Sequence, residues 1–173
     1  MAFQTAQDQI KIRPVGRRDM AALQQLYCQT IEHTCKQDYD EAQRTAWQQG
    51  IRNEQRWIDA IENQYFLVAE IGRDIAGFGS LLDSSYIDFM YTSNLHLRKG
   101  VAGAIYNLLE AEALKNGAAR LTSDVSLTAR PFFEKQRFTI IKTNLNLVRG
   151  IEISNYRMEK LLSAAEHFNA KPI

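Results

Sequence analysis

The chain has 173 residues, 45% of them hydrophobic and 24% charged, with a formal net charge of +1. That length supports one sizeable core and is short for two domains. Dispersed lysines and arginines at near-neutral charge give no basic stripe for nucleic acid, and no apolar run is long enough to span a bilayer.

Residues 1–9 lack the charged start and apolar middle of a signal peptide, so the expected compartment is the cytoplasm. Ile10 to Arg13 alternates and stops at Pro14, which reads as a first strand. Asp19 is then expected to cap a helix whose Leu23, Leu26, Tyr27, Thr30 and Ile31 form one buried face. Residues 38–63 read as a second helical region, broken near Gly50, with Trp47, Ile51, Trp57, Ile58 and Ile61 covering a sheet. Tyr65 to Ile71, a turn at Gly72-Arg73-Asp74, and Ile75 to Leu82 predict an antiparallel hairpin.

Ile87 to Thr92 is the next strand, a helix from Gly100 to Asn116 crosses over, and Arg120 to Asp124 returns as a parallel strand. A short helix around Thr128 to Gln136 precedes two closing strands, Phe138 to Val148 and Ile153 to Leu161, joined through residues 149–152. The pattern ends near Leu162, so residues 8–162 form the expected domain and 163–173 a carboxy-terminal tail.

Cys28 and Cys35 lie on one predicted helix face about 10 Å apart, beyond disulfide reach, and read as reduced thiols. His33, His96 and His167 form no ligand spacing with them, so no metal is expected. His33 and Cys35 as base and nucleophile would point apart at i and i+2.

The segment Arg98-Lys99-Gly100-Val101-Ala102-Gly103 carries the strongest chemical signal. A Gly-containing turn that opens a helix aims unpaired N–H groups and the positive end of the helix dipole at one point, which suits a pyrophosphate; a plain strand-to-helix connection is the alternative. A P-loop is excluded because Lys99 precedes its glycine. A dinucleotide fingerprint at Gly77-Phe78-Gly79 fails because Leu82 stands at the third glycine.

The whole order of elements resembles the GNAT fold of acyl-CoA-dependent N-acyltransferases, an α/β (α+β) architecture with a mixed, mostly antiparallel central sheet flanked by helices. Leu97-Arg98-Lys99-Gly100-Val101-Ala102 resembles that family's Q/R-x-x-G-x-G/A turn, with Leu97 in place of Gln or Arg. Ser126 to Phe138 resembles N-x-x-A-x-x-F-Y-E-x-x-G-F, with Ser126 for Asn, Phe133 for the tyrosine proposed as general acid, and Arg137 for Gly. The run Arg149 to Lys160 is similar to the R-G-[VI]-E-[LI]-x-N-Y-x-M-E-K ending of a subgroup of small bacterial members. Asp38-Tyr39 and Ala46-Trp47 resemble the same subgroup.

The resemblance implies acetyl-CoA as cofactor, held by Met90, Tyr91 and Thr92, by Leu97 through Ala104, and by Ser126, Phe132 and Phe133. It implies transfer to a primary amine of a small molecule or protein. The alternative is a catalytically weak acyl-CoA-binding sensor, favoured by Phe133. Asp88 is the first candidate base and Asp124 the second, each with a structural carboxylate as its other reading, and Tyr156 or a water replaces the missing acid. His33, Tyr39 and Trp47 are candidates for the acceptor pocket, or else helix-surface and core residues. The long closing strands allow a homodimer.

Overall fold

The computed structural model describes residues 9–163. The strands are β1 (Ile10–Pro14), β2 (Tyr65–Ile71), β3 (Asp74–Leu82), β4 (Tyr86–Thr92), β5 (Arg120–Ser126), β6 (Thr139–Val148) and β7 (Ile151–Leu161). They form one sheet in the order β1-β2-β3-β4-β5-β7-β6, antiparallel except between β4 and β5. The helices are α1 (Met20–Thr34), α2 (Glu41–Gln48), α3 (Glu54–Asn63), α4 (Val101–Lys115) and α5 (Arg130–Lys135). The sequence-predicted order of elements is the observed one. The expected tail lies outside the described residues except for Ser163.

Each face of the sheet has its own core. Ile105 and Leu109 of α4 pack with Ile87, Leu121, Val125 and Met158 on one side. On the other, Leu23 and Ile31 of α1 and Trp57 of α3 cover Val68, Phe78 and Phe89. The near-continuous apolar run of β2 follows from burial on both faces. Helix α4 sits close because β3 offers it two glycines. A Cβ on Gly79 would lie 2.7 Å from Ile105 Cγ2, and one on Gly77 would lie 2.8 Å from Val101 Cγ1. The Gly77-Phe78-Gly79 run is therefore a floor for a helix, with no role in a nucleotide fingerprint.

Strand β4 contains an extra residue. Leu81 pairs with Ile87 and Ser80 with Phe89, which leaves Asp88 as a bulge. The bulge resets the alternation, so Ile87 enters the α4 core while Phe89 enters the α1/α3 core.

Two expectations are corrected in detail, on Asp19 and on the closing hairpin, and the expected break near Gly50 is found. Asp19 occupies the N-cap of α1 but makes no cap hydrogen bond there. Its carboxylate accepts the Gly16 N–H at 2.8 Å and both Arg13 amino groups, at 2.8 and 2.9 Å, because the long Arg13 side chain reaches it from β1. The helical region 38–63 divides into α2 and α3, with a short 3-10 turn at Gln49–Arg52 between them. The closing hairpin turns on Arg149 and Gly150 alone, at φ 50° and 81°, so β7 begins at Ile151; two successive left-handed residues match the strand twist.

Arg137 stands where the family pattern places Gly, and the reason for that pattern is visible. Its φ is 70°, and its N–H and that of Phe138 close the end of α5 on Glu134 and Phe133 carbonyls. A left-handed backbone costs an L residue roughly 1 kcal/mol. Arg137→Gly is expected to stabilise the fold by about 0.5–1 kcal/mol, offset in part by unfolded-chain entropy. In a thermal melt this appears as a Tm higher by about 1–3 °C; a lower Tm would show that the Arg137 side chain outweighs the strain.

Candidate active site

β4 and β5 pair at two positions only, Tyr86 with Thr122 and Ile87 with Ser123. The Ser123 hydroxyl donates to the Ile87 carbonyl at 2.8 Å, tying the fork where it opens. Beyond it lies a cleft of about 430 Å³, walled by Met90, Tyr91 and Thr92 on one side and Asp124, Val125 and Ser126 on the other. The N–H groups of Phe89 and Ser93 bond toward β3, to Ser80 Oγ and the Ala76 carbonyl. Alternation therefore turns the peptide groups of Met90 and Thr92 toward the gap.

The mouth of the cleft is the turn into α4. Arg98 at φ 61° and Gly100 at φ 83° curl the chain, and the first-turn N–H groups of Val101, Ala102 and Gly103 have no preceding helical carbonyl to bond. All five residues, with Leu97, line the cleft. Backbone dipoles and the positively charged Arg98 thus meet at one mouth, a combination that suits an anion. Lys99 and Ala104 stand apart from the lining, and the Ala104 N–H is already taken by the Gly100 carbonyl at 2.9 Å. Buried His96 borders the same mouth; its Nε2 lies 3.8 Å from Asp74.

Both candidate carboxylates line the cleft, and both are engaged. Asp88 accepts from Arg56 at 2.9 and 3.2 Å and from Gln64 at 2.7 Å, while Gln64 in turn accepts the Ser80 hydroxyl at 2.6 Å. Asp124 accepts from Arg157 at 2.7 and 2.9 Å, from Tyr86 and from Asn144. Burial pushes the Asp124 carboxyl up, but these partners outweigh it and hold the group below the usual carboxylate range.

Of the three acceptor-pocket candidates, only Trp47 lines the cleft. His33 is exposed on α1. Tyr39 is buried as a strut: its hydroxyl donates to the Ser154 carbonyl at 2.8 Å and accepts the Leu127 N–H at 2.9 Å, and burial pushes its pKa up to about 12. Tyr156 also stands outside the lining, packed against the core with the Arg130 guanidinium 5.4 Å from its ring centre. Ser126 accepts the Ala129 N–H at 3.0 Å and shapes the turn into α5. Phe132 and Phe133 both border the cleft, and Phe133 is a core residue, edge-on to Phe132 and Phe138. Cys28 and Cys35 are free thiols, as expected, and burial raises the pKa of both.

Sequence reasoning missed Arg56, Gln64 and Arg157, which hold the two carboxylates, Ser80, which orients Gln64, and Thr34 and Cys35 in the cleft wall. Arg157 sits inside the closing motif, so its spacing was a usable signal. Arg56 lies 32 residues from Asp88, and no local pattern links them.

Residues 35–160 match the family model of the acetyltransferase (GNAT) domain. The chain belongs to the GNAT acetyltransferase family. It is 31% identical over 150 residues to the uncharacterized N-acetyltransferase YafP of Escherichia coli (strain K12), covering 86% of this chain and 94% of that one. A crystal structure of a GCN5-related N-acetyltransferase from Rhodopseudomonas palustris superposes with a TM-score of 0.85 at 27% identity, over 92% of this chain and all of that one. The PaiA N-acetyltransferase of Thermoplasma acidophilum, solved with coenzyme A, shares the fold with a TM-score of 0.68 at 16% identity, over 89% of this chain and 99% of that one. Acetyl-CoA is the donor that fits this GNAT acetyltransferase. The cleft suits it: the first-turn N–H groups of α4 and Arg98 have the chemistry that a diphosphate needs, and the Met90 and Thr92 N–H groups turned toward the gap suit an amide-bearing arm.

Gly103 gives a clean test of the anion site, because a Cβ there meets nothing within 4 Å and its φ is helical. Gly103→Glu is expected to keep or raise the Tm, since leaving glycine favours a helix by about 1 kcal/mol. Calorimetric titration should show acetyl-CoA affinity reduced at least about tenfold by the added carboxylate, a loss of about 1.4 kcal/mol. Unchanged affinity would move the diphosphate away from this turn.

Proposed function

We propose that this acetyltransferase moves the acetyl group of acetyl-CoA onto a primary amine, of a small molecule or a protein, by direct attack of the amine on the thioester. The observation that carries this reading is the convergence of the β4 peptide groups and the first turn of α4 on one cleft. Bound acetyl-CoA supplies an activated acetyl group: an N–C bond forms as the C–S bond breaks, the amine sheds a proton and the thiolate gains one.

The chain's own residues have three tasks. The N–H groups of Met90 and Thr92 stabilise the negative charge that grows on the carbonyl oxygen. Asp88 takes up the amine's proton through water; Asp124 already accepts from Arg157 twice, from Tyr86 and from Asn144, which makes that residue the poorer base. Phe133 offers no proton, and Tyr156 faces the core beside α5, so water protonates the sulfur. A thiol of pKa about 8.5 leaves readily enough for this to suffice. Phe133 also favours the second reading, an acyl-CoA-binding sensor with slow chemistry. Two free thiols suit a reducing compartment, which supports a cytoplasmic setting.

Asp88→Asn preserves shape and separates the readings. With acetyl-CoA and an amine panel, thiol release is expected to fall about 10²-fold or more in kcat, while acetyl-CoA affinity is retained. Unchanged kcat across pH would remove Asp88 from the chemistry.

A homodimer belongs to the same proposal, with a second copy pairing along β6. That edge strand carries one charged residue, Lys142, and exposes Ile141, Leu145 and Leu147, the last at 76%. Edges left without charges pair with a strand like themselves, and a twofold antiparallel match is self-complementary. Leu145→Lys with Leu147→Lys is expected to halve the mass found by light scattering; an unchanged mass would move the interface elsewhere or leave a monomer.

A further inference from the structure

The acceptor half of the cleft has an unusual balance of charge. Asp88 and Asp124 are the carboxylates in its lining, and each is held by two N–H donors of one guanidinium. A polyamine, an aminoglycoside-like polycation or a basic peptide needs unpaired carboxylates. Here it would meet Arg56 and Arg157 already seated on them. Charge complementarity thus opposes a polycationic acceptor.

What the same wall offers is aromatic and hydroxylic. Trp47 from α2 and Tyr91 from β4 line it, with Thr34 and Cys35 from the end of α1. Trp47 is braced edge-on by Tyr39 at 5.3 Å, and Tyr91 is stacked on Phe78 at 5.3 Å, so both rings are fixed in place. Burial holds the Tyr91 phenol neutral, with its pKa well above the usual value. Thr34 Oγ1 is buried and has no hydrogen-bond partner among the described residues. A buried hydroxyl without a partner is costly and calls for a polar atom from a ligand.

Resting on the acetyl-transfer reading, we infer that the acceptor is a small primary amine with a flat, apolar, aromatic body, which lies against Trp47 and Tyr91 and offers one polar atom to Thr34. The chemistry agrees with the contacts. An aromatic amine is uncharged at neutral pH, so its lone pair is available without prior loss of a proton. It enters an apolar wall with no charge to desolvate, whereas an alkylammonium would have to be neutralised first. Product formation then needs only removal of the proton shed on attack.

The test is thiol release from acetyl-CoA with 4-methoxyaniline, 3-aminophenol, spermidine and a lysine-rich peptide, run beside calorimetric titration with acetyl-CoA alone. The aromatic amines are expected to exceed spermidine and the peptide at least about tenfold in kcat/KM. Trp47→Leu, which keeps apolar bulk in the fold, is expected to raise KM for 4-methoxyaniline about 10- to 100-fold with acetyl-CoA affinity unchanged. Thr34→Val should raise the same KM by a smaller factor. Preference for spermidine or the peptide overturns the inference and leaves acetyl transfer standing. Acetyl-CoA binding without turnover of either aromatic amine, or an unmoved KM in Trp47→Leu, also overturns it. Failure to bind acetyl-CoA overturns the reading on which it rests.

Discussion

The bulge at Asp88 is the constraint on which the site depends. Ile87 and Phe89 are both almost fully buried, yet in cores on opposite faces of the sheet. Regular alternation would send both to one face, so one of the two cores would lose a side chain whose burial is worth roughly 2 kcal/mol. The extra residue removes that conflict and bends β4 just where β5 stops pairing with it. Hydrogen bonds from Arg56 and Gln64 to Asp88, and from Ser123 to Ile87, each add only about 1 kcal/mol. Burial fixes the bulge, and the polar contacts fix its direction. The gap that binds a ligand is thus a consequence of packing two cores around one strand.

A second constraint delivers the anion turn to that gap. Helix α4 must lie against Gly77 and Gly79, because larger residues would collide with Val101 and Ile105. With its axis set by the sheet, its first turn opens at the mouth of the cleft. The chain then has to reverse in a few residues between β4 and α4, and it does so with left-handed backbone at Arg98 and Gly100. Strain at Arg98 is placed where a guanidinium is useful, so the turn exchanges some stability for charge.

Element order was legible because it rests on local pattern: the helical stripe of Leu23, Leu26, Tyr27 and Ile31, and the apolar runs on either side of the Gly72-Arg73-Asp74 turn. The turn at Gly100 was legible for the same reason, since its glycines and the helix after it are neighbours in sequence. Pairing across distance was not. Asp88 read as an ordinary strand carboxylate because its bulge exists only relative to β3, and its partners Arg56 and Gln64 come from another element. Tyr39 and Trp47 looked equivalent, yet one hydroxyl reached the backbone of β7 while the other ring faced the cleft. That difference depends on how α2 docks, which no run of residues encodes.

The phenylalanine at position 133 becomes intelligible in this setting. A phenol there would enter a cluster of three edge-on aromatic rings, where an unpartnered hydroxyl is costly. Removing it leaves a cleft whose carboxylates are tied to arginines and whose nearest tyrosine ring, Tyr91, is held neutral by burial. Such a site keeps one proton-transfer group of its own, Asp88 working through water, and no side-chain acid beside the sulfur. Otherwise it contributes position and an aromatic wall, which are worth most when the leaving group departs unaided and the nucleophile arrives uncharged. The thiolate meets the first condition, and an amine that needs no prior deprotonation meets the second. With the acid lost, proton transfer rests on Asp88 and water, and the demand on them is smallest when the substrate arrives uncharged.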